Sequence, residues 1–218
     1  MRTSPLHDCL ARLDTVWGRL NDMPVALRAG GEAMSAVQLF DLCALHRTGL
    51  KGTGAAPWLQ SRSVGVPERA NCWCGLQDGA LIARLGRSEF LIEDGPRGTA
   101  VSSICDALAT PVSGVYPVLR QDAALMLRGE AVPEVLAQTC GIDLSADALE
   151  ERAVSLTTMA GINVIVIDVS SAHALPCYRI WCDGTYGRYL WETVLEIAIE
   201  LGGGAAGLSA IYPDLDVS

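Results

Sequence analysis

Basic residues are in deficit in this chain: 16 lysines and arginines stand against 25 acids, giving a net charge of −9 and an isoelectric point of about 4.7. A protein that tracks nucleic-acid phosphates needs a basic face, so no nucleic-acid role is expected. No apolar run reaches the roughly 20 residues a helix needs to cross a bilayer. Residues 1–13 mix charged with apolar side chains and lack the hydrophobic block of a secretory leader. Neither membrane attachment nor a signal peptide is expected. The phosphate-cradling G-x-x-x-x-G-K-[ST] loop and the G-x-S-x-G nucleophile elbow are missing. So is any C-x-x-C pair among the eight cysteines, Cys9, Cys43, Cys72, Cys74, Cys105, Cys140, Cys177 and Cys182. Most of these lie in apolar runs, where a free thiol behaves as a small hydrophobe. Such usage points to a reduced, cytoplasmic protein without a bound metal.

What is present is a repeated grammar. Residues 49–60, GLKGTGAAPWLQ, read as a strand end, a tight turn at Gly52 and Gly54, and a short helix carrying Pro57 in its first turn. Residues 126–137, MLRGEAVPEVLA, repeat it, with a strand ending at Gly129 and a helix opening near Pro133. Lys51-Gly52 matches Arg128-Gly129, and Leu59 matches Leu136. Strands at 80–85 and 89–93 and a helix at 99–108 follow the first unit. Strands at 153–159, 162–169 and 177–182 and a helix at 187–201 follow the second. Self-similarity of this kind signals duplicated architecture. The expected fold is α+β, with two related halves at 1–112 and 113–204 and an irregular tail at 205–218; residues 109–114 mark the boundary.

Smaller features fill in the rest. Ser4 and Pro5 look like a helix start, and Leu6, Leu10, Leu13 and Trp17 continue at helical spacing. A short strand at 23–28 begins beside Pro24. Residues 32–38 read as a short helix or link, 62–70 and 170–176 as loops, and 145–150 as a loop or one helical turn. Thr99 is placed to cap the helix that follows it. The C-terminal helix carries an acidic ridge of Glu192, Glu196 and Glu200, one apolar stripe of Leu190, Val194, Ile197 and Leu201, and a second of Trp191, Leu195 and Ile199. A helix covered on one face needs only one such stripe. The second packs either between the two halves or against another chain.

Candidate chemistry is sparse. His7, His46 and His173 are isolated, as surface or structural histidines are. Cys72 and Cys74 lack zinc-knuckle spacing and read as alternate positions on one strand face. Tyr178 and Trp181, near Asp183, could stack on a flat ligand, although core packing is the ordinary role of such residues. Asp78 stands between a glycine-bearing loop and an apolar strand. A carboxylate there either closes a hairpin turn or projects into a cleft, where it could accept an amine or heterocyclic N–H.

The segments Ser4-Pro5-Leu6, Met23-Pro24-Val25, Leu39-Phe40-Asp41, Gly52-x-Gly54-Ala55 and Asn71-x3-Gly75-x2-Asp78 occur in the order in which the aminomethyltransferase family carries them. The chain resembles this family, the T-protein of glycine cleavage and its folate-binding relatives, over residues 4–201. Length and the segment Tyr186-Gly187-x-Tyr189-Leu190-Trp191 place the resemblance with the gamma subunit of heterotetrameric sarcosine oxidase. It implies two antiparallel-sheet halves, no C-terminal β-domain and a tetrahydrofolate site, with Asn71, Gly75 and Asp78 binding the cofactor and Asp78 catalytic. Where the family has two consecutive acids this chain has Asp78-Gly79. Residues 170–177 carry no counterpart of the family's pterin-binding glutamate. Two functions follow from the resemblance. One is an aminomethyltransferase-like, tetrahydrofolate-binding protein of one-carbon metabolism. The other is a non-catalytic gamma-type subunit of a flavin-dependent oxidase of sarcosine or another N-methyl amino acid. The implied partners are a reduced folate and, in a hetero-oligomer, amine-oxidase subunits.

Overall fold

The computed structural model describes residues 2–30, 36–144, 151–172 and 174–215. The first elements in chain order are α1 (His7–Leu10), β1 (Thr15–Leu20), β2 (Met23–Ala29), β3 (Gln38–Asp41), β4 (Arg47–Lys51), α2 (Ala55–Ser61), β5 (Cys72–Gly75), β6 (Leu81–Arg84), β7 (Glu89–Glu93) and α3 (Ala100–Ala107). They are followed by β8 (Tyr116–Val118), β9 (Ala123–Arg128), α4 (Val132–Thr139), β10 (Val154–Met159), β11 (Ile162–Asp168), β12 (Cys177–Cys182), α5 (Gly187–Glu200) and β13 (Gly204–Ala205). The fold is α+β, as expected. Contacts divide it into two units: residues 45–121 with 152–154, and residues 1–44 with 122–151 and 155–218.

The smaller unit is a five-stranded antiparallel sheet of order β5-β6-β7-β4-β8. Strand side chains alternate between faces. Leu50, Ile82, Phe90 and Ile92 share one face and bury themselves under Ala55 and Leu59 of α2 and Val101 and Ile104 of α3. Each large apolar side chain so covered stabilises the fold by about 1.5–3 kcal/mol.

The larger unit holds the hairpin β1-β2 and a six-stranded sheet of order β10-β11-β12-β9-β3-β13. Its core joins Leu39, Leu125, Leu127, Val166 and Ile180 of the sheet to α1, α4 and α5.

The two large sheets share one plan. β4 lies between β7 and β8, and β9 lies between β12 and β3. The turns that follow β4 and β9 make matching bonds. The N–H of Gly52 donates to Ser88 (2.9 Å) and that of Gly129 to Pro176 (3.0 Å). The N–H of Gly54 donates to Gly114 (2.9 Å) and that of Ala131 to Ala36 (3.0 Å). Gly52 and Gly129 have φ of +118° and +143°, and a Cβ at either would run into the carbonyl of Gly114 or Ala36 respectively. Leu59 and Leu136 are both buried behind these turns.

The repeat read from the sequence is therefore present, with an exchange that reading did not foresee. β3, from the first repeat, pairs with β9, and β8, from the second, pairs with β4. Each repeat completes the sheet of the other, so the contact units cut across the sequence boundary at 112.

Several local expectations are corrected. The first helix is one turn, and Trp17 lies in β1, opposite Ala26, with its ring 4.6 Å from that of His7. The β-branched and aromatic run of β1 outweighs the helical spacing. Thr99 makes no side-chain cap; the carboxylate of Asp94 accepts from the N–H of Val101 instead (3.1 and 3.3 Å). The tail opens with β13, parallel to β3, rather than irregularly. The second stripe of α5 divides: Trp191 is fully buried in the larger unit, Leu195 packs partly against it, and Ile199 is 55% exposed. His173, the loop or helical turn at 145–150, and 31–35 of the expected link lie outside the described residues.

Burial also sorts the thiols. It pushes Cys177 up to about 12 and Cys182 up to about 11, whereas Cys105 stands exposed on α3. A thiol that stays protonated does not alkylate. Iodoacetamide at pH 8 should therefore modify Cys105 in the native protein and reach Cys177 and Cys182 only after denaturation, as read by peptide mass spectrometry. Native labelling of Cys177 would show that β12 opens.

Candidate functional site

The sequence-predicted residues lie on β5 and the turn after it. β5 is held from two sides. It pairs with β6, and on its other side the N–H of Trp73 donates to Arg152 (2.9 Å) while the N–H of Val154 donates to Asn71 (2.8 Å). Asn71 enters the strand at φ +55°, and its N–H donates to Arg84 (2.8 Å). Gly75 ends the strand. Four residues at about 3.3 Å each put Asn71 and Gly75 roughly 13 Å apart, so β5 separates Asn71 from the Asp78 turn.

That turn is a 3₁₀ segment, Gln77–Gly79, closed by the N–H of Leu76 donating to Ala80 (2.7 Å) and that of Ala80 to Gln77 (3.0 Å). Asp78 sits in the left-handed region at φ +55°, which aspartate tolerates better than most residues. Its backbone carbonyl fills the space a side chain on Gly95 would need. Its side chain is exposed and makes no hydrogen bond or ion pair among the described residues. A carboxylate so presented can accept an N–H from an incoming molecule.

Beneath the turn lies a polar layer that the sequence did not disclose. The N–H of Asp94 donates to the carbonyl of His46 (2.8 Å). Arg47 and Glu93 are register partners across β4 and β7, with Nε and Nη2 of the arginine 3.0 and 2.9 Å from Oε2 of the glutamate. The two side chains are 1% and 0% exposed. The available signal was two consecutive acids, Glu93-Asp94, at the end of an apolar strand.

Burial raises the Asp94 carboxyl above its ordinary value of 3.8, against lowering by the N–H groups of Val101 and Ala100 and by His46. The folded protein thus holds this proton more tightly than the unfolded chain does. The stability linked to it is full below the ordinary value and falls as pH rises through the folded value. Asp94→Asn keeps an acceptor for Val101 and cannot ionise. Urea unfolding at a series of pH values should show the variant gaining on the wild type as pH rises from 3.8. Parallel pH profiles would mean that Asp94 is not strained by burial.

Other candidates resolve simply. Tyr178 and Trp181 are buried on opposite faces of β12, and the tyrosine hydroxyl donates to Leu144 (2.9 Å). Cys72 and Cys74 share one face of β5. Residues 202–207 read G-x-G-x-x-G but follow a helix and lead into β13. They lack the strand–turn–helix setting of a dinucleotide loop. Among the described residues no group of three or more His, Cys, Asp and Glu could hold a metal ion, and no helix is long and apolar enough to cross a membrane.

No family model matches the chain. In sequence it is similar to the sarcosine oxidase gamma subunit of Corynebacterium sp. (strain P-1), 25% identical over 142 residues, covering 63% of this chain and 70% of that protein. It is also similar to the gamma subunit of Arthrobacter sp., 27% identical over 143 residues with the same coverage. In structure it is similar to the glycine cleavage system aminomethyltransferase T of Bartonella henselae, with a TM-score of 0.74 and 16% identity over 96% of this chain and 60% of that one. A chain of heterotetrameric sarcosine oxidase from Corynebacterium sp. U-96, solved with pyrrole 2-carboxylate, matches with a TM-score of 0.68 and 20% identity over 93% of this chain and 97% of that one. The chain has the aminomethyltransferase fold, and its sequence is similar to sarcosine oxidase gamma subunits, as the motif order implied.

Proposed function

We propose that this chain is a gamma-type, non-catalytic subunit of a flavin-dependent oxidase of sarcosine or another N-methyl amino acid, working in the cytoplasm. The observation that carries this reading is sequence similarity. The curated relatives it matches, at 25% and 27% identity, are sarcosine oxidase gamma subunits, whereas the aminomethyltransferase of like fold is 16% identical. The site supports it too, since Gly79 stands where the family has a second acid and the Asp78 carboxylate is exposed. A general base works best when it is fixed within hydrogen-bond reach of its proton, and no described residue fixes this one.

A second reading rests on the retained Asp78 turn: an aminomethyltransferase-like protein that binds tetrahydrofolate for one-carbon metabolism. Bound folate would supply a nucleophilic nitrogen. In this chain Asp78 would accept a folate N–H, Gly75 would leave room beside it, and Asn71 would hold the far end of β5.

One pair of measurements separates the two. Co-expression with the flavin-dependent oxidase subunits, followed by size-exclusion chromatography, should give one complex. Calorimetric titration of the isolated chain with a reduced folate should give weak heat or none. Micromolar folate binding that Asp78→Asn abolishes, with no complex formed, would favour the second reading.

A further inference from the structure

A groove of 620 Å³ crosses the larger unit beside β10 and β11. Its floor is Trp181 and Ile165, register partners on one face of the β11-β12 pair. Its rim carries Ile142 and Leu156, 46% and 54% exposed. The wall holding Ile142 is fixed. The N–H of Gly141 donates to Thr158 (3.1 Å), that of Ala160 donates to Thr139 (2.8 Å), and Cys140 bridges Met159. The groove therefore exists before anything enters it.

Its charged lining is of one sign. Asp122 precedes β9 and Asp183 follows β12, and they stand side by side because Ala123 pairs with Cys182. No lysine or arginine lines the groove among the described residues. Hydrogen bonds from the N–H and hydroxyl of Thr185 (2.8 and 2.6 Å) hold the Asp183 carboxyl below the ordinary range, so it keeps its charge. The whole unit is acidic: seven basic against nineteen acidic residues, net −12, whereas the smaller unit has nine against six, net +3.

We propose that this groove docks a segment of the oxidase partner subunit that lays an aliphatic side chain between Ile142 and Leu156 and presents an arginine or lysine to Asp183. The inference rests on the gamma-subunit reading and adds to it a face and the chemistry of the occupant. A small molecule on the floor would leave both rim side chains in water, whereas a segment crossing the rim covers them. A second copy joined through the same face would bring four carboxylates together. Charge complementarity of this kind sets association rate and partner choice, and a covered aliphatic anchor sets residence time.

The test uses the full chain and the assembled oxidase subunits. Leu156→Arg and Asp183→Arg both change exposed positions. Leu156→Arg should match the wild type in circular dichroism and thermal melting, whereas Asp183→Arg also loses the two bonds from Thr185 and should keep the spectrum but melt slightly lower. Affinity for the oxidase subunits should fall at least 10-fold in Leu156→Arg. In Asp183→Arg the association rate should fall and lose most of its dependence on salt. A photo-crosslinking amino acid at position 156 should capture an oxidase peptide containing arginine or lysine. If the wild type binds the subunits and both variants bind equally well, the groove is not the docking face while the subunit reading stands. If the wild type binds none of them, both fall. A wild-type homodimer that Leu156→Arg dissolves would assign the groove to a second copy and overturn the proposal, as would crosslinks confined to a small molecule.

Discussion

Glu93→Ala is expected to lower the stability of the protein by about 3–5 kcal/mol, the usual result of removing one member of a buried ion pair. The cost comes from what stays behind: the guanidinium of Arg47 is sealed in the sheet opposite the deleted carboxylate. Arg47→Ala should cost a similar amount, because it strands the carboxylate. The double variant Arg47→Met with Glu93→Leu removes both charges and keeps the volume, so it should recover most of the loss. The measurement is the urea midpoint at unchanged m-value. Single variants within about 1 kcal/mol of the wild type would mean that water reaches the stranded charge, which its burial argues against.

The second large effect belongs to the turn after β9. Gly129→Ala should cost at least about 3 kcal/mol or abolish soluble expression, because two penalties combine. The backbone at φ +143° is open to glycine and costly for other residues, and the added Cβ meets the carbonyl of Ala36. That carbonyl also accepts from the N–H of Ala131, so it cannot withdraw without breaking the first bond of the turn. Gly52→Ala should behave alike, through Gly114. Gly86→Ala is the control: no atom lies near its Cβ, and its midpoint should move little. A tolerated Gly129→Ala would mean that residues 36 and 129 are not packed as described.

These glycines were readable in the sequence because the signal is local. A strand that breaks at glycine and resumes as a helix after a proline leaves a pattern within a dozen residues, and Leu59 and Leu136 confirm the alignment of the two copies. Trp17 was misread because Leu6, Leu10, Leu13 and Trp17 happen to fall at helical intervals, while the neighbouring Thr15 and Val16 favour a strand. The Asp78 turn was legible through Asp-Gly chemistry. Arg47, Glu93 and Asp94 were not, since charges at the ends of apolar strands are ordinarily wet. Only the pairing of β4 with β7 shows that these are covered. The groove of Ile142 and Leu156 was hidden for the same reason, as its walls come from five separated segments.

The exchange of β3 and β8 between the repeats bears on how the chain comes into being. Phe40 finds its partner Met126 at a distance of 86 positions, and Gly49 its partner Val118 at 69. Loop-closure entropy must be met before such pairs form, and proteins dominated by them fold slowly. Synthesis runs from the N-terminus, so the first sheet stays incomplete until Val118 has left the ribosome. β3 waits longer still, with its edge open to any passing strand. A chain stopped at residue 112 would hold β3 without β9 and β4 without β8. It should aggregate when made alone and regain solubility when the remaining residues, 113–218, are made beside it.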